Sequence, residues 1–95
     1  MDIIWMPEAL IDLSDIQEYI ASDSLEGANE VTQVIMHFVV KQLEVFPRSG
    51  HVGRVNGTLE LVVPRLPYFI PYRITNGHID ILRVYHTSRY WPEQF

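Results

Sequence analysis

The chain has 95 residues, 47% of them apolar and 20% charged, with mean hydropathy near zero. That composition fits one globular domain over 1–95, leaves no room for a second core and gives no reason to expect long disorder. No apolar run approaches the roughly 18 residues needed to span a bilayer. A formal net charge of -5 argues against direct DNA binding by the chain alone, since phosphate neutralisation supplies most non-specific affinity.

The opening MDIIWMPEAL lacks the basic and apolar regions of a signal peptide, so a cytoplasmic protein is expected. The absence of cysteine agrees with that compartment. Asp2 to Trp5 reads as a short strand ended by Met6-Pro7. Pro7 suits a first helical position, and Ala9, Leu13, Ile16 and Ile20 follow at helical spacing, with Asp12, Asp15 and Glu18 placed away from that stripe. The run Ser22 to Glu26 breaks the pattern, and Asp23 and Glu26 stand at capping-box spacing. A second helix carries Ala28, Val31, Ile35, Phe38 and Leu43 on its apolar face and should stop at Phe46-Pro47.

Residues 48–57 contain three glycines and read as a loop. From there the apolar period changes to two. Strands are predicted over Thr58 to Val63, Tyr68 to Thr75 and His78 to His86, with a hairpin at Asn76-Gly77. Pro71 cannot donate to a ladder, which predicts an edge position or a bulge. The stretch Thr87 to Pro92 could make one short helical turn. The expected fold is therefore α+β: a strand, a helical hairpin and three strands (β-α-α-β-β-β), the helices packed on a small, mostly antiparallel sheet.

Charge is segregated along the chain. Residues 1–47 hold nine acids against Lys41 alone, whereas residues 48–95 hold three acids against six arginines. His37, His51, His78 and His86 show no metal-binding spacing, and the glycines at 50, 53 and 57 lack a following Lys-Ser/Thr, so neither a metal nor a nucleotide cofactor is expected. The stretch ITNGHIDILRVYHTSRYWP, residues 74–92, concentrates the chemistry. Arg83 and Tyr85 share one strand face, and Leu82, Val84 and His86 share the other. An imidazole or phenol could move a 2′-hydroxyl proton while arginines steady the phosphate, which is the chemistry of RNA cleavage. The competing reading gives these aromatics to the core, His86 to a backbone hydrogen bond and Arg83 to a neighbouring acid.

Trp5, Ala9, Asp12-Leu13, Ile16 and Tyr19-Ile20 are followed by Leu43, Phe46-Pro47 and Gly53-Arg54. Then come Glu60 to Val63, Tyr68, Tyr72-Arg73, Ile81 to Val84, His86, Ser88-Arg89 and Trp91-Pro92. This ordered set resembles the ParE/RelE toxin superfamily of bacterial toxin-antitoxin systems, on the ParE (plasmid stabilisation) side. The resemblance implies a growth-arresting toxin neutralised by a ParD-like antitoxin, whose binding residues the sequence leaves unknown. It implies DNA gyrase as target, with no catalysis by the toxin itself, and a docking role for Arg83, His86, Arg89 and Trp91. The alternative it implies is a ribosome-dependent mRNA endoribonuclease, in which Arg73, Arg83, His86, Arg89 and Tyr90 do the cutting. A third outcome is a non-toxic binding module on the same fold. Two positions depart from the family pattern: Leu59 stands where the family often has arginine, and Pro71 where it has an apolar strand residue.

Overall fold

The computed structural model describes residues 1–88. Strand β1 (Asp2–Trp5) stops at Met6, and Pro7 takes the first position of helix α1 (Pro7–Ala21), where its missing N–H costs nothing. The Met6 carbonyl accepts from the amides of Ala9 and Leu10, closing the first turn. Ala9 and Leu13 are buried, and Ile16 packs at the margin of the core.

Helix α2 (Leu25–Val45) is capped by Ser24, whose Oγ accepts from the Gly27 amide at 3.0 Å. The capping box expected from Asp23 and Glu26 is therefore not the one formed. The extended backbone lies at Ser24, one residue later than expected, and the third helical position is a glycine with no side chain to reciprocate. Ala28, Thr32, Ile35, Val39 and Leu43 form its buried stripe, and a Gln17–Asn29 side-chain hydrogen bond of 2.8 Å ties it to α1.

Five further strands follow: β2 (His51–Val52), β3 (Leu59–Val62), β4 (Tyr68–Thr75), β5 (His78–Ile81) and β6 (Tyr85–His86). The sheet order is β1-β5-β4-β3-β2, with β6 paired to β4 as well, and only the β1–β5 pair is parallel. The Asn76-Gly77 hairpin is present, and both residues have positive φ, as a type I′ turn requires. Tyr68, Ile70 and Tyr72 join Leu61, Val63, Ile79, Ile81 and Val84 in the core beneath the helices.

Two strand boundaries differ from those predicted. The glycine-rich loop contributes the two-residue β2, paired to β3 at His51↔Glu60 and Val52↔Leu59. The single strand expected over residues 78–86 is split. Its first part pairs with Tyr72–Thr75 of β4 and its last part with Tyr68–Phe69, leaving residues 82–84 outside the ladder.

Pro71 accounts for the gap. It lies in the central strand, not at an edge, and its carbonyl accepts from the Leu82 amide at 2.9 Å. The N and C=O of one strand residue point to the same side, so the donor that proline lacks would have faced the interrupted stretch. The bulge option thus holds in a modified form, with the irregularity carried by the partner strand.

Candidate functional site

Alternation along β4 sorts the sheet into two faces. Tyr68, Ile70, Tyr72 and Ile74 point to the helices, and Phe69, Pro71, Arg73 and Thr75 point away. Pairing register then puts Glu60, Asp80 and Tyr85 on the helix-free face, opposite Pro71, Arg73 and Phe69 respectively. This face is not bare. Glu60, Phe69 and Tyr85 are all buried, and Phe69 and Tyr85 meet with ring centroids 5.6 Å apart.

The loop after β2 folds back over this face. The Arg54 amide donates to Glu60 Oε2 at 2.9 Å, and its guanidinium carbon lies 5.6 Å from the Phe69 ring centroid. Glu60 Oε1 lies 3.2 Å from His51 Nε2. A carboxylate 4% exposed is costly unless its oxygens are satisfied, and here the loop amide and the imidazole satisfy them. Gly53 permits the close approach, because a Cβ there would run into the Thr58 hydroxyl and its carbonyl. Sequence patterning missed this cluster: Glu60 occupies a regular strand position, and only the fold brings a loop across it.

Arg73 lies on the same face, opposite Asp80, with its Nε buried and without a hydrogen bond among the described residues. The Asp80 carboxylate lies 3.4 Å from His78 Nε2. Arg83 is engaged differently. Its Nε and Nη2 donate to Asp12 Oδ2 and Oδ1 at 2.7 and 2.9 Å, and the Val84 amide donates to the same Oδ2 at 2.9 Å.

The hydrogen bond to Asp12 raises the Arg83 pKa above its ordinary value despite opposing desolvation, and the guanidinium sits 4.7 Å over the Tyr85 ring. Burial pushes the Tyr85 phenol up as well, against the opposing pull of Arg83. Asp12 was expected to face away from the apolar stripe. It borders the stripe instead, one residue and about 100° from Leu13, where the end of β5 can reach it.

His86 faces the helices. It packs edge-on against Tyr68 with centroids 5.5 Å apart, and its Nδ1 accepts from the Ser88 amide at 3.2 Å with the Ser88 hydroxyl at 2.8 Å. Together with Asp15, Ile16, Tyr19 and Ile20 it lines a groove of about 310 Å³ beside α1. The three described residues of the proposed site are thus not brought together. Arg73 and His86 belong to opposite faces of the sheet, and Arg83 is held by Asp12. Arg89, Tyr90 and Trp91, and most of the expected terminal turn, lie outside the described residues. Among the described residues no group of three or more side chains could hold a metal ion.

The family model for the ParE toxin of type II toxin-antitoxin systems, parDE, matches residues 3–91. The chain belongs to the ParE toxin family. It is thus a ParE-like toxin of a type II toxin-antitoxin module, as the ordered residues from Trp5 to Pro92 lead one to expect. The toxin-family protein Y4kP of Sinorhizobium fredii is 40% identical to this ParE-like chain over 91 residues, covering 96% of it and 93% of Y4kP. Toxin RelE2 of Caulobacter vibrioides is 29% identical over 87 residues, covering 92% and 96%.

Among solved structures, a chain of the chromosomal ParDE system from P. aeruginosa superposes with a TM-score of 0.84 at 28% identity, covering 93% of this chain and 97% of that one. The α+β arrangement of a helical hairpin on a mixed sheet is thereby shared with a ParDE protein.

Proposed function

We propose that this ParE-like toxin arrests growth by inhibiting DNA gyrase in the cytoplasm, and that a ParD-like antitoxin neutralises it. The observation that carries this reading is the dispersal of the described cationic and imidazole groups. Cleaving RNA needs an acid-base group and guanidinium groups aimed at one phosphate. Here Arg83 is bound bidentately to Asp12, and His86 lies on the opposite side of the sheet from Arg73. A net charge of -5 also opposes approach to ribosomal RNA.

The antitoxin partner is supported by the family match and by the likeness to a ParDE structure. In this reading the toxin acts by docking, not catalysis. The contact residues are Arg83, whose side chain stays one-third exposed beside its Asp12 pair, together with His86, Arg89 and Trp91.

Two assays run side by side test the proposal. Purified toxin is added to gyrase supercoiling reactions and to programmed ribosomes carrying labelled mRNA. Inhibition of supercoiling with intact mRNA is the expected result. Cleaved mRNA with unaffected supercoiling would establish the endoribonuclease reading, and silence in both would leave a binding module without toxicity.

A further inference from the structure

Asparagine is followed by glycine twice, at Asn56-Gly57 and Asn76-Gly77, and all four residues are exposed. Nothing lies within 4 Å of where either glycine would carry a side chain. Among the described residues neither glycine amide has an acceptor and neither asparagine side chain a partner.

The two dipeptides are identical in sequence, and the fold sets them apart. The Thr58 amide donates to the Val55 carbonyl at 3.2 Å, so residues 55–58 form a turn with Asn56 and Gly57 at its centre. Asn56 keeps a negative φ and Gly57 has φ +80, the combination of a type II turn. Asn76 has φ 48 and Gly77 φ 82, the type I′ pattern, at the end of a ladder that runs from Thr75↔His78 to Tyr72↔Ile81.

We infer that Asn56 is a site of covalent self-modification by ring closure and water, and that the fold shields Asn76 from the same reaction. Base removes the Gly57 amide proton, and the nitrogen attacks Asn56 Cγ. The N–Cγ bond forms, the Cγ–Nδ2 bond breaks, and Nδ2 leaves as ammonia. Water then opens the five-membered imide. Cleavage of the N–Cγ bond gives aspartate, whereas cleavage between that nitrogen and the Asn56 main-chain carbonyl carbon gives isoaspartate, in which the chain runs through Cγ. By either route one water enters, one ammonia leaves and the loop gains a carboxylate.

Ring closure needs the glycine nitrogen swung to the Cβ side of the asparagine, at a ψ of about -120° for an L-residue. A type II turn starts Asn56 at about +120°, and the path between the two values runs through extended backbone that any residue adopts. At Asn76 the same ψ with positive φ is the first central position of a type II′ turn, a place for glycine. Leaving positive φ instead opens the hairpin. Around Asn56 the buried Val55 and Thr58 hold the ends of the turn through the Thr58 amide and hydroxyl, both on the Val55 carbonyl. Rotation there costs those bonds and not a ladder. Isoaspartate at position 56 lengthens the chain by one atom beside Arg54, whose amide is a donor to Glu60. The reaction needs only water and base and is independent of the toxin's target.

Peptide mapping by mass spectrometry tests it. The toxin is held at mildly alkaline pH, folded in one arm and unfolded in urea in the other, and sampled over days. In the folded arm Asn56 should convert about tenfold faster than Asn76, following the lower cost of opening its turn. Enzymatic methylation of the new carboxylate identifies isoaspartate. In urea the two positions should convert at similar rates. Asn56→Gln, whose longer side chain requires a six-membered ring, should suppress conversion at that position in both arms, and circular dichroism checks that the variant is folded. Folded toxin in which Asn76 converts as fast as Asn56, or in which both stay intact, overturns the inference. So does a difference that persists in urea, since flanking sequence would then be its cause.

Discussion

Asp12 carries more of the architecture than any other described charged residue. Its carboxylate accepts three hydrogen bonds, two from Arg83 and one from the Val84 amide, and so fastens α1 to the stretch where β5 leaves the ladder. Removing it strands a half-buried guanidinium and a backbone donor together. Asp12→Ala should therefore cost about 2 kcal/mol in urea unfolding, and Asp12→Asn less, since an amide oxygen still accepts from Val84.

Tyr72 plays a comparable part at the other end of the molecule. Its hydroxyl donates to the Pro47 carbonyl at 2.9 Å and accepts from the Gly50 amide at 3.0 Å, pinning the chain that leaves α2. Burial raises the Tyr72 pKa, opposed by the Gly50 hydrogen bond and by Arg48. The unfolded chain therefore ionises first. The contribution is fully present below the ordinary tyrosine value near 10 and is lost as pH rises through the folded value. Tyr72→Phe should cost about 1 kcal/mol at neutral pH and flatten the alkaline part of the stability profile, measured by denaturant unfolding from pH 8 upward.

Among the elements, the loop between β2 and β3 is the most constrained by a single residue. Gly53 sits against Thr58, and its amide donates to the Thr58 carbonyl at 2.8 Å. Gly53→Ala should displace the Arg54 amide from Glu60 and leave a buried carboxylate short of a donor. The expected loss is about 1–3 kcal/mol, accompanied by faster amide exchange at Arg54. At the β4–β5 hairpin, Gly77 has φ +82, and nothing lies near its missing side chain. Gly77→Ala should therefore cost only the backbone strain, about 1 kcal/mol, read as a shift in the urea midpoint with an unchanged slope. The contrast between these two glycines separates steric exclusion from dihedral strain.

At the scale of the whole molecule, acids crowd the helical layer and arginines the sheet and its ends. Three of the described arginines do not share one rim: Arg54 crosses the helix-free face, Arg73 lies opposite Asp80, and Arg83 is turned to α1. A target that reads this face would therefore meet separate cationic positions over aromatic rings that are themselves buried. Under the gyrase reading, inhibition of supercoiling should weaken on Arg89→Ala while thermal stability stays unchanged. Unchanged inhibition would remove that residue from the docking surface. Duplex DNA should not be retained by the toxin alone in a gel-shift assay at physiological salt.

Local patterns determined most of the architecture. The helical stripes, Pro7 at the start of α1, the Asn76-Gly77 hairpin and the change of period after residue 57 are encoded within a few residues of one another, so helix, strand and turn could be read directly. The ordered family residues also reached the toxin class. What only the tertiary structure decided depends on contacts between distant residues. Pro71 forced a gap into the neighbouring strand, Asp12 reached 71 residues along the chain to claim Arg83, and Glu60 was buried by a loop that its own strand does not predict. Sequence periodicity reports which side of an element is apolar. Which charges find each other across the fold is settled by packing, which turned Arg83 to Asp12 and left Arg73 on the helix-free face opposite Asp80.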